Sequence, residues 1–94
     1  MRISNKMIEG RIKWLNKMTN NPETPWTRKD GKLKQNKGNF HIDSAYVGVA
    51  LYQQCESGAR DVLRVGHRPK REMYDLINAY MQAIEDIEYK HING

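Results

Sequence analysis

Cys55 is the only cysteine among the 94 residues, so the chain cannot form an internal disulfide. That suits a reducing cytosol, and it leaves Cys55 to read as a small buried or half-buried hydrophobe, not as a nucleophile or metal ligand. No apolar run approaches the length of a bilayer span, and the N-terminus lacks the apolar core of a signal peptide. Also missing are a phosphate-binding glycine loop, Cys or His pairs at metal-site spacing and a serine in a nucleophile elbow. A non-enzymatic protein with no cofactor or metal is therefore expected. Hydrophobic residues make up 38% and the mean hydropathy is −0.87. One soluble α+β domain over residues 1–94 follows, with a core small enough for self-association to add stability.

The charge is divided unevenly along the chain. Residues 1–38 carry ten Lys/Arg against Glu9, Glu23 and Asp30, a balance of +7, whereas the remainder carries −2, together giving the net +5. The basic half points to a polyanionic partner. The basic loop over 22–38, with Lys29, Lys32, Lys34 and Lys37, reads equally as a solvated lysine-rich surface.

Helical spacing is clear at both ends. Ser4 is an N-cap, Ile3 and Ile8 stand at staple positions, and Met7, Ile8, Ile12, Leu15 and Met18 line one face until Asn20-Asn21-Pro22 stops the helix. Trp14, beside that stripe, reads as core or subunit interface. A second helix begins at Pro69, carries Met73, Leu76, Ile77, Tyr80, Met81, Ile84 and Ile87 on its buried stripe, and ends near Lys90.

Between the helices, Asp30-Gly31 can close a short hairpin of Trp26-Thr27-Arg28 with Lys32-Leu33-Lys34. Trp26 either anchors this loop or presents an aromatic face to a ligand. Phe40–Cys55 alternates as a strand with Val47, Val49 and Leu51 on one face and Ile42, Tyr46 and Tyr52 on the other. A helix remains open because few breakers interrupt it. Its length predicts a bend or break near Asp43-Ser44 or Gly48, making either one bent strand or two. Glu56-Ser57-Gly58-Ala59 should turn the chain into an antiparallel strand over Arg60–Val65. Apolar groups on both faces of the central strand call for a partner subunit or a small aromatic pocket, so a homodimer or an assembly of dimers is expected.

Arg68, Lys70 and Arg71 cluster where a helix dipole disfavours cations, a conflict that a bound phosphate would relieve. His67 beside them could donate to an anion or serve the turn. His41 and Asp43 share a strand face and could pair. Arg60 or Arg64 could reach the anion from the adjacent strand, Phe40, Tyr46 or Trp26 could stack a base, and Arg11 lies beside the apolar face of the first helix.

Three segments carry a resemblance over nearly the whole chain: Asn16-Lys17-Met18-Thr19-Asn20-Asn21-Pro22 with Pro25-Trp26-Thr27, then Gly38–Leu51, then Gly66-His67-Arg68-Pro69-Lys70-Arg71-Glu72-Met73-Tyr74. They resemble a group of small proteins of tailed bacteriophages. Val47 stands where those proteins have a second glycine, and Glu56-Ser57-Gly58-Ala59 replaces a glycine-rich turn. The order of elements with a basic-aromatic pocket is similar to the phage Thoeris anti-defence sponge proteins. That resemblance implies a non-enzymatic oligomer in the infected host cytosol that sequesters a cyclic ADP-ribose isomer or cyclic oligonucleotide. The alternative is a phage DNA- or RNA-binding accessory protein using the basic N-terminal half.

Overall fold

Ser4 accepts a hydrogen bond from the Met7 amide at 3.2 Å, and the helix it caps, α1, runs Asn5–Met18. Ile3 and Ile8 are both buried, as the staple requires. The computed structural model of the chain describes residues 2–93, with side chains described over 2–88. Two antiparallel sheets follow α1. The first pairs β1 (Trp26–Lys29) with β2 (Lys32–Gln35), and the second has the order β3 (Phe40–Ala45), β4 (Gly48–Cys55), β5 (Gly58–Asp61). The long α2, Lys70–Asn93, completes an α+β fold. No helix among the described residues is long and apolar enough to cross a membrane.

The β1–β2 hairpin is closed by Asp30 and Gly31 with φ of 53° and 77°, the positive-φ pair that a two-residue hairpin favours. What the sequence presents as a basic loop is thus a ribbon, held to the second sheet at its base. The Gln54 side chain donates to the Pro25 carbonyl at 3.1 Å, and Gln35 donates to the Cys55 carbonyl at 2.7 Å.

The 40–55 segment is two strands, with the chain reversing at Tyr46-Val47 just before Gly48. This corrects the expected faces. Reversal pairs Ile42 with Leu51 and Phe40 with Gln53, so Ile42 and Leu51 share a face that continuous alternation would separate. Phe40, Val49 and Leu51 join Ile8, Ile12, Leu15, Met73, Ile77 and Met81 in the core between this face and the two helices. Ile87, expected on the buried stripe of α2, is exposed. Trp14 is 47% exposed with the Lys17 ammonium 5.3 Å from its ring centre, so it is not a core residue.

The return strand is shorter than Arg60–Val65. Pairing with β4 runs from Cys55↔Gly58 to Tyr52↔Asp61, and the Val62 amide still donates to Leu51 at 3.0 Å. The chain then bulges, with Arg64 and Gly66 at positive φ. The Asp61 carboxylate ties this bulge by accepting from the Arg64 and Gly66 amides at 3.0 and 2.8 Å. Pairing resumes at Arg68, whose amide and carbonyl both bond to Val49 at 2.9 and 2.8 Å. Pro69 lies outside α2, and its carbonyl accepts the Met73 amide at 3.0 Å.

Asn16 joins α1 to the sheet. Its buried amide donates to the Phe40 carbonyl at 2.9 Å and accepts the Phe40 N–H at 2.7 Å, replacing a strand partner at the start of β3.

Candidate functional site

The start of α2 is built from the sheet outward. The two Val49–Arg68 backbone bonds fix Arg68 at the free edge of β4, so the cations that follow it emerge at one end of the β3–β4 hairpin. Gly48 permits this approach. A Cβ there would lie 2.1 Å from the Arg68 carbonyl oxygen, and its φ is 153°. Two residues before it, at the hairpin tip, Tyr46 is fully exposed and Val47 is 70% exposed. The fold therefore brings an open aromatic ring to the same end as Arg68, Lys70 and Arg71.

The two arginines already have local partners. The Arg68 guanidinium donates to the Val65 carbonyl at 3.1 Å and lies 3.9 Å from Glu72. Arg71 Nε lies 3.7 Å from Asp75, the pairing that helix spacing allows. Both ion pairs are long and solvent-exposed, so each contributes little.

His67 meets an anion within the chain. Its Nε2 is 2.7 Å from Asp43 Oδ2, and because a carboxylate only accepts, Nε2 carries the hydrogen. The expected His41–Asp43 pair is corrected by this geometry. His41 Nδ1 instead lies 3.2 Å from Asn39 Oδ1. Burial lowers the His41 pKa from its ordinary 6.5, and the Asp43 charge and a hydrogen bond with the Asn39 backbone oppose that shift without cancelling it. Tyr52 stands edge-on between the rings of His41 and His67, with centroid distances of 6.2 and 6.3 Å. His91 lies outside the described side chains.

Other expected ligand residues are dispersed. Phe40 is 3% exposed and packs edge-on against Tyr80 at 6.1 Å, so it is a core residue away from the start of α2. Arg11 donates to Asn78 at 2.8 Å and serves the contact between α1 and α2. Arg60 donates to Gln53 at 2.7 Å on the sheet surface. Arg64 sits on the 62–67 bulge, and Trp26, half exposed, stands on β1.

A cleft of about 420 Å³ opens elsewhere, between α1 and β3. Ile8, Ile12, Phe40, Ile42 and Val49 contribute its apolar lining, and Glu9, Lys13, Glu23 and His41 are its ionisable groups. Sequence reading missed it because its residues come from positions 5 to 49, without a local motif. Arg68, Lys70 and Arg71 are not in its lining. Among the described residues no group of three or more His, Cys, Asp or Glu could hold a metal ion. Compared with known proteins, the chain matches no family model, no curated protein and no solved structure.

Proposed function

We propose that this chain is a non-catalytic receptor that sequesters a small phosphorylated nucleotide, a cyclic ADP-ribose isomer or a cyclic oligonucleotide, at the end formed by Tyr46 and the start of α2. The observation that carries the reading is the Val49–Arg68 backbone bridge, which holds a cationic helix start beside an exposed tyrosine. A cyclic nucleotide presents phosphates and flat bases together. Arg68, Lys70, Arg71 and the first amides of α2 suit the phosphates, and Tyr46 suits a base. His67 is committed to Asp43 and positions the segment instead of contacting ligand. A cyclic nucleotide presents two or more phosphates, and several charge-assisted bonds made at once would outcompete the single long, exposed Arg68–Glu72 pair. The resemblance to phage anti-defence sponges supports the same ligand class, the host cytosol as its compartment and self-association.

Calorimetry with a panel of cyclic nucleotides tests this. Wild type should bind at least one of them, and Arg68→Ala or Arg71→Ala should weaken it roughly 10- to 100-fold, the loss of one charge-assisted hydrogen bond. No binding across the panel, or equal binding by wild type and both variants, would overturn the assignment.

A further inference from the structure

The β1–β2 ribbon has two chemically different faces, and their composition follows from its register. Directly paired residues in an antiparallel ribbon share a face, as do residues two apart along a strand. The pairs Trp26↔Gln35 and Arg28↔Leu33 therefore make one face, while Thr27↔Lys34 and Lys29↔Lys32 make the other. Three lysines thus stand together on the second face. Lys29 and Lys32 are directly opposite, an arrangement that like charges destabilise. No carboxylate among the described residues pairs with Lys29, Lys32 or Lys34, whereas Lys37 nearby is bonded to Glu56 at 2.6 Å. All residues from Trp26 to Lys34 are exposed.

The first face carries the ribbon's one aromatic ring. Trp26 is 50% exposed, Leu33 is 61% exposed, and Arg28 is the only charge among its four residues. Gln35 on this face reaches the end of β4, which fixes the ribbon's base and leaves both faces open to solvent beyond it.

We infer that this ribbon binds single-stranded nucleic acid, with Lys29, Lys32 and Lys34 neutralising phosphates and Trp26 and Arg28 stacking bases. A single strand also has two sides, a polyanionic backbone and unpaired base faces, and a strand crossing the ribbon edge meets the matching chemistry on each face. A duplex keeps its base faces stacked inside and can use only the lysines. An acidic protein segment offers charge to the lysines but nothing flat to Trp26. The surface is separate from the α2 start, which makes the two proposals independently testable.

The test is fluorescence anisotropy with a labelled 12-nucleotide oligo-dT strand, a 12-base-pair duplex and polyglutamate over a salt series. For three phosphate contacts, the logarithm of affinity should fall against the logarithm of salt with a slope of about −2 on the single strand. Replacing Lys29, Lys32 and Lys34 together by Gln should bring the slope near zero and weaken binding on the order of 100-fold at 0.1 M salt. The same three changed to Arg should retain binding. In a Trp14→Phe background, oligo-dT should quench the remaining Trp26 fluorescence, a signal that stacking predicts and charge attraction alone does not. Arg71→Ala should bind as wild type does. The inference is overturned if the salt slope is zero, if the triple Gln variant binds normally, if Trp26 fluorescence is unmoved, if Arg71→Ala loses binding, or if duplex or polyglutamate binds as tightly as oligo-dT.

Discussion

His67 Nε2 lies 2.7 Å from Asp43 Oδ2, across a sequence separation of 24 residues. Arg68 pairs with Val49 and Asp43 pairs with Ala50, so His67 crosses the face of the hairpin opposite the main core and reaches from the edge of β4 to β3. Ala50 beneath it is fully buried, and Tyr52 on the same face contacts the His67 ring. The chain thus covers part of its own second sheet face with the segment that leads into α2. Asp43→Ala and His67→Ala should each destabilise the fold by about 0.5–1.5 kcal/mol, the usual net worth of one hydrogen bond. In a double-mutant cycle by chemical denaturation the double variant should be less destabilised than the two single effects added, whereas strict additivity would mean that the contact contributes nothing.

Gly48→Ala should be more severe. The added methyl meets the Arg68 carbonyl oxygen at 2.1 Å, and a backbone atom held by two hydrogen bonds cannot move aside cheaply. Together with the unfavourable φ, a loss of roughly 2–4 kcal/mol is expected. Gly10→Ala is the control, because it meets nothing within 4 Å and lies in a helix, where alanine is favoured. A Gly48→Ala protein that unfolds at the wild-type denaturant midpoint would show that the Val49–Arg68 bridge does not form.

Asn16→Leu should also cost stability, by roughly 2–4 kcal/mol, because it strands both the N–H and the C=O of Phe40 in the core. Amide exchange gives a site-specific reading. The Phe40 N–H should exchange slowly in wild type and much faster in the variant, and unchanged protection would reject the proposed tie between α1 and β3.

The pH dependence of stability should contain a contribution from His41 with a defined sign. Burial lowers its folded pKa below 6.5, so in the window just under that value the unfolded chain binds more protons than the folded one. The folded state is therefore penalised as pH falls through 6.5, and stability is regained as pH rises. His41→Gln should lose less stability than wild type between pH 7.5 and 5.5, with subtraction of the two curves removing the other titrating groups. Parallel curves would refute the assignment.

Local chemistry made much of the fold legible. The Ser4 cap, the apolar stripe of α1 and the Met73, Ile77, Met81 stripe of α2 are repeated at helical spacing, and Asp30-Gly31 is a turn signal of its own. The length of the 40–55 segment made a break near Gly48 legible, but not that the break is a full reversal at Tyr46-Val47, since neither residue is a turn former.

The sequence by itself determined the two helices, the basic ribbon and the concentration of positive charge in the first 38 residues, because caps, periodicity and turn dipeptides act between near neighbours. Only the tertiary structure decided that Phe40 is buried against Tyr80, that Asp43 belongs to His67 and not to His41, and that Tyr46 stands at the same end as Arg68. Each of these depends on strand register. A shift of one residue would exchange the faces of β3 and β4, and register is set by how the hairpin packs on α1 and α2, an interaction between residues too far apart in sequence for any local pattern to encode.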